Sequence, residues 1–241
     1  MEPIKDVKIT VENGVKTLDI RHGELNPVHI PAGIEITGAS IGAVVEYLKK
    51  KGVEPEQIEH SFVRFSYEGL FLKLDYAVRR EAKPDRIQGE LKLHPELEKW
   101  QINKAKAYDN MTLSRFIKMN RHFFESPETA MRLVTELRDI KVKAENQFET
   151  SDDRRGNARE LIAQRVVESN IPASFILKLP VFVGQDPIAV KVEIEINPKD
   201  FSCELISPDL KQIIDIETRA IIDAELAQIR ELYPELRIFQ K

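Results

Sequence analysis

Cysteine is nearly absent: the single Cys203 in 241 residues rules out an internal disulfide framework and fits a reducing cytoplasm. Long apolar runs are absent too, since nothing approaches the roughly 18 consecutive apolar residues of a spanning helix, and no membrane partner is expected. The opening Met1-Glu2-Pro3-Ile4-Lys5-Asp6 lacks the basic stretch and apolar block of a secretory signal. No sign of charge dominates. Lys+Arg 36 against Asp+Glu 40 gives a net charge of −4, which argues against a chain whose whole surface binds nucleic acid.

Catalytic and metal motifs are also missing. The histidines at positions 22, 29, 60, 94 and 122 show no His-x-x-x-His or His-Glu-x-x-His spacing, and one cysteine cannot build a thiolate zinc site. Asp19, His22, Glu24 and His29 read as surface scatter, so no metal is expected. Gly33 to Ser40 spaces two glycines and a serine as a phosphate-binding loop does, but Ala39 stands where the phosphate-neutralising lysine belongs, and the segment reads as an ordinary strand-to-helix turn. No Gly-x-Ser-x-Gly elbow occurs. Glu193 and Glu195 share one strand face and read as solvated, while Cys203, among Phe201, Leu205 and Ile206, reads as a small buried hydrophobe. No catalytic residue and no cofactor is assigned.

What is present is a pattern of strands and amphipathic helices. Val7, Ile9 and Val11 alternate up to Asn13-Gly14, and Val15 to Ile20 returns, which predicts a hairpin. Ser40 is placed as the cap of a helix carrying Ile41, Val44, Val45 and Leu48. His60 to Tyr67 and Leu70 to Val78 flank the turn Glu68-Gly69, and Ile87 to Leu93 reads as the next strand. The period then becomes helical: a stretch after His94-Pro95 carries Leu97 and Trp100, Thr112 is read as the cap of a helix with Leu113, Phe116 and Ile117, and Ser126-Pro127 opens a helix with Ala130, Leu133, Val134, Leu137 and Ile140. Val142 to Phe148 alternates weakly as a strand, Ser151 to Asn157 reads as a tip or loop, and Glu160 to Glu168 as a helix. Phe175 to Val183, Ile188 to Ile196 and Phe201 to Ile206 alternate strand with turn and predict a meander, before a closing helix from about Gln212 to Tyr233, stopped by Pro234.

No repeat or linker divides the chain. The expectation is a single α+β domain over residues 1–241: mainly antiparallel sheet, strand-rich over 1–94 with one helix, a central helical insert over 95–140, and a meander plus a long C-terminal helix over 141–241. Opposite the apolar stripe of the Thr112 helix, Arg115, Lys118 and His122 fall in one arc, with Arg132, Arg138, Lys141 and Lys143 following. That arc is either a phosphate-contacting face or a solvated one, and the acidic balance favours the second. The C-terminal helix is apolar on two sides, with Ile213, Ile216, Ala220, Ala224 and Ala227 on one and Ile222, Leu226, Ile229 and Tyr233 nearly opposite. Such a helix is either sandwiched in the fold or meets another subunit; the second stripe is taken as the surface for a homo-oligomer or a tight partner complex.

Three segments carry a family resemblance: Trp100 followed by Leu113-Ser114-Arg115-Phe116-Ile117-Lys118-Met119-Asn120; Ile171 to Gly184, with its Leu179-Pro180-Val181-Phe182-Val183-Gly184 strand; and the terminal helix containing Ile214 to Leu232. Together, from about residue 95 to the end, they resemble the YfdQ-like family of phage and prophage proteins of unknown function. The resemblance implies a phage origin and a host-cytoplasmic setting, and it supplies no reaction and no catalytic residues. The resulting expectation is a cytoplasmic phage or prophage accessory protein that binds a protein partner, itself or a host or phage protein, without catalysis. The alternative is a nucleic-acid-associated protein of phage recombination or replication using Arg115, Lys118 and His122, and third comes an unrecognised enzyme on nucleotides or phosphodiesters.

Overall fold

A computed structural model of the chain describes residues 33–53, 55–78, 83–150, 163–168 and 170–241. The expected hairpin over residues 7–20, the Asp19 to His29 group and the Ser151 to Asn157 loop lie outside the described residues. In chain order the elements are β1 (Glu35–Ser40), α1 (Ala43–Lys51), α2 (Pro55–Ile58), β2 (Phe62–Ser66), β3 (Phe71–Tyr76), β4 (Asp85–Glu90), α3 (Pro95–Lys99), α4 (Asn110–Met119), a short 3₁₀ turn (Arg121–Phe123) and α5 (Pro127–Thr150). A helical stretch at 163–168 (α6), β5 (Ser174–Leu179), β6 (Ile188–Ile196), β7 (Cys203–Ile206), α7 (Leu210–Leu232) and β8 (Arg237–Gln240) complete it. The fold is α+β.

Two sheets form. The first has the order β1-β4-β3-β2-β8: β2, β3 and β4 run antiparallel as the hairpin pattern predicts, while the edge strands β1 and β8 are added in parallel to β4 and β2. The second is the expected antiparallel meander β5-β6-β7. Pleating explains the first sheet's two faces. Val63, Phe65, Leu72, Leu74, Tyr76 and Ile87 point to the core. On the opposite face buried Asp75 accepts from Arg64 Nη2 at 2.5 Å and lies 3.4 Å from Arg86 Nε. β1 bulges between Ile36 and Ala39, with Gly38 at φ 68° in the bulge. Beside it, a Cβ on Gly89 would sit 2.6 Å from the Ser40 carbonyl oxygen, so glycine lets the two strands approach.

The segment after β4 ties the sheets together, because Leu93 bridges Phe182 and His94 N–H donates to the Val181 carbonyl at 2.8 Å. Buried residues of both sheets and of α1, α4, α5 and α7 belong to one contiguous apolar cluster. The meander's edges are each covered by a single bridge, Phe124 on Leu177 and Tyr108 on Cys203, which blunts them against pairing with other strands.

Several local expectations are corrected. Ser40 does not cap α1; it ends β1, and the helix starts three residues later with Gly42 at the N-cap. The phosphate-loop-like segment is therefore filled by the strand itself. Asp109, not Thr112, caps α4, its carboxylate accepting from the Met111 and Thr112 amides at 3.0 Å each. The stretch from Val142 is helix rather than strand, because α5 keeps its 3.6-residue stripe through buried Leu137, Ile140 and Ala144 while Val142 faces solvent.

The largest correction concerns α7. Ile222, Leu226 and Ile229, taken as a surface for a second subunit, are buried within this chain, and half-buried Tyr233 donates its hydroxyl to the Leu48 carbonyl at the end of α1 at 3.2 Å. The bulkier stripe won the core, and the stripe of Ile216, Ala220, Ala224 and Ala227 was left outside. A face already filled by α1 cannot also be an intermolecular interface. Among the described residues no helix is long and apolar enough to cross a membrane.

Candidate interaction surface on helix α4

Arg115 and Lys118 of the expected cationic arc lie exposed on α4, and His122 lies exposed in the 3₁₀ turn that follows it. Between Asp109 and Glu125 the sequence contains three fixed cations, Arg115, Lys118 and Arg121, and no acid. Asn110, Leu113, Ser114 and Ile117 turn α4 inward, leaving Arg115 and Lys118 exposed on its outer side, with His122 exposed just beyond its end. None of the three cations has an ion-pair partner among the described residues. His122 rests its ring 4.1 Å from that of Phe123, which sets its direction.

The cations of α5 do not extend this face. Lys143 is neutralised by Glu136 at 2.5 Å and also donates to Asn170 at 3.0 Å. Lys141 acts electrostatically on Asp109 and Asp200, at the far, N-terminal end of α4. Arg132 and Arg138 are exposed but share their helix surface with Glu136 and Asp139.

Two residues overlooked in the sequence complete the surface. Met111 and Met119 are 53% and 73% exposed. Their signal was available, since Met111, Arg115, Lys118, Met119 and His122 follow the i, i+4, i+7, i+8 and i+11 spacing of one helix face. Methionine is flexible and polarizable, and it suits surfaces that adapt to an apolar partner side chain.

The helix that carries these groups is firmly mounted. Buried Asn110 donates from Nδ2 to the Leu137 carbonyl of α5 at 2.8 Å. At the other end buried Asn120 donates to the Phe116 carbonyl at 2.8 Å and accepts from Lys99 Nζ at 2.9 Å. Between them, fully buried Trp100 stands edge-on to Phe116 at 4.9 Å, and Phe124, just after the 3₁₀ turn, stacks on Phe175 of β5 at 4.8 Å. Aromatic contacts of this geometry add about 0.5–1.5 kcal/mol each beyond the area they bury.

The Asp85 cluster, Cys203 and Glu193 are accounted for by structure. Tyr47 and Lys51 on α1 both donate to Asp85 Oδ2 of β4, Lys51 also donates to the Tyr47 oxygen at 2.8 Å, and Ile34 N–H donates to Asp85 Oδ1 at 2.7 Å. Burial and the Asp85 hydrogen bond push Tyr47 up to about 12. Burial would raise Asp85, but the hydrogen bonds from Lys51, Tyr47 and Ile34 outweigh it and hold the carboxyl below its ordinary range. This is a clamp between helix and sheet. Cys203 is fully buried, and desolvation, with the Asp109 charge second, pushes its thiol up to about 12. Glu193 pairs with Lys191 at 3.5 Å on the outer face of the meander. Among the described residues no group of three or more His, Cys, Asp or Glu side chains gathers as a metal site.

No protein-family model, no curated protein and no solved structure matches the chain. The α4 surface is therefore read from its own chemistry: cations without acids in the helix's own sequence, beside exposed methionines, on a helix anchored at both ends.

Proposed function

We propose that the protein is a non-catalytic binding protein whose α4 face receives an acidic, partly apolar segment of a protein partner. The observation that carries this reading is the pairing of Arg115 and Lys118 with exposed Met111 and Met119 on one acid-free helix face. Cations alone would suit any polyanion, but methionine surface adds nothing to phosphate contact and favours a partner that brings its own apolar side chains. The net charge of −4 adds to the argument, since the whole molecule repels nucleic acid at long range. The resemblance to YfdQ-like proteins supports a phage or prophage origin and a host-cytoplasmic place of action.

The nucleic-acid reading draws on the same Arg115, Lys118 and His122, and one experiment separates the two. The protein is captured from phage-infected cells with and without nuclease, alongside Arg115→Glu/Lys118→Glu and Met111→Ser/Met119→Ser variants of unchanged melting temperature. A protein partner on α4 is retained through nuclease and lost with either variant. Nuclease-sensitive capture, lost with the charge reversal but kept by the serine variant, makes the recombination or replication reading the better one. A partner that ignores both variants refutes the α4 site.

A further inference from the structure

A second site lies away from α4, in a cavity of about 240 Å³ where α3 and the loop after it meet the first turns of α7. Its floor is apolar: Leu97 and Ile102 from the α3 side and Leu210 and Ile214 from α7. Its rim is polar, and Lys104 and Lys211 stand there exposed, with no ion-pair partner among the described residues, against one acid, Glu98. A cavity of about 150 Å³ accepts benzene, so this one has room for a ring with a short substituent or a chain of about eight carbons.

The wall is built rather than collapsed around empty space. Gln101 and Asn103 both take left-handed backbone, at φ 52° and 59°, a conformation that asparagine tolerates and that costs a residue such as Gln101 about 1 kcal/mol or more. Asn103 holds that loop to the start of α7, donating from Nδ2 to the Ser207 carbonyl and accepting from the Ser207 amide at 2.8 Å each, while its own amide donates to the Leu205 carbonyl at 3.0 Å. Gln101 turns its side chain back, donating to the Glu98 carbonyl at 2.6 Å.

We infer that this cavity binds a small organic monoanion with an apolar body, its carboxylate held by Lys104 and Lys211 and its body against Leu97, Ile102, Leu210 and Ile214. The inference is independent of the α4 reading.

The test titrates the full chain with octanoate, and with 1-octanol as its uncharged counterpart, by calorimetry at low ionic strength. Octanoate is expected to saturate one site in the range of about 0.1–1 mM, and to bind about tenfold tighter than octanol. Lys104→Met/Lys211→Met, both surface changes, brings octanoate down to the octanol level. Ile214→Trp, which fills the floor, removes both ligands with helical circular dichroism unchanged. No saturable octanoate binding by about 10 mM, equal affinity for octanoate and octanol in the unaltered protein, or octanoate binding that survives the lysine pair would each overturn the proposal.

Discussion

Leu226→Ala distinguishes a core residue from an interface residue in one experiment. Leu226 is 1% exposed and lies between Ile222 and Ile229, both fully buried, on the stripe of α7 that faces α1. Removing a leucine side chain beyond Cβ from such a site forfeits its transfer free energy and leaves a cavity that a helix pinned at Tyr233 to Leu48 can only partly close. Measured costs for this change run from about 2 to 5 kcal/mol, and the complete burial here places it near about 3 kcal/mol. The assay is urea unfolding followed by the fluorescence of the single tryptophan, Trp100, which is fully buried in the same contiguous core. With a slope of about 2–3 kcal/mol per molar, the midpoint should fall by about 1 M. It should fall by the same amount at every protein concentration, because Leu226 packs against residues of its own chain. A loss below about 0.5 kcal/mol, or a midpoint that moves with concentration as the mass in light scattering drops, would show that this stripe meets a second copy after all.

Four further outcomes follow from the ionisable groups. Burial raises the Glu225 carboxyl, with Lys49 opposing and Glu46 adding, and its buried Oε2 has no hydrogen-bond partner. A raised acid is a cost in the ionised form, so Glu225→Gln should melt higher than the unaltered protein at pH 7, with the gap closing as pH falls through the raised value and gone below the ordinary carboxyl range. Asp85 is shifted the other way, so its stabilisation is complete above the ordinary carboxyl range and is lost as pH falls through its lowered value; Asp85→Asn should lose about 1 kcal/mol at pH 7 and flatten the acid limb of the melting profile. In the same cluster Tyr47, pushed up to about 12, should make stability fall as pH rises above about 10, a slope that Tyr47→Phe removes. Cys203, buried and raised, should ignore a thiol reagent at pH 8 until the chain is unfolded, and rapid native labelling would place it at the surface.

Where one period dominated, residues spoke for themselves. In the meander, Phe175, Leu177 and Leu179 oppose Val192, Val190 and Ile188 as the alternation requires, and the Asn197 to Asp200 turn closes with Phe201 in left-handed backbone. The two parallel edge strands were not legible for a common reason. Arg237 to Gln240 is four residues long, with one half-buried side chain, Ile238, and pairs with Phe62 to Phe65, far back in the chain. No local pattern encodes such a pairing. β1 fails similarly, since five of its six residues are exposed and it offers no apolar face to read. At α5 the weak alternation of Val142, Ala144 and Asn146 coincided with a helical stripe already running through Leu137 and Ile140, and continuing a formed helix costs less than nucleating a strand.

The site was half legible. Helical spacing placed Arg115, Lys118 and His122 together because exposure on an isolated amphipathic helix is a matter of angle alone. That Lys143 leaves the group, captured by Glu136 and Asn170, depends on packing between α5 and the segment following α6, which no wheel describes. On α7 the wheel showed two apolar stripes and gave no means to choose between them; α1, arriving from the other end of the sequence, made the choice.

The most direct measurement installs a photo-crosslinking residue at Met119, on the α4 face, and separately at Val183, 61% exposed in the turn after β5. After irradiation in phage-infected cells, Met119 should yield a discrete protein adduct that resists nuclease and disappears when Arg115 and Lys118 are reversed to glutamate. Val183 should yield none. An adduct that nuclease destroys, or equal adducts from both positions, would contradict a protein-binding face on α4.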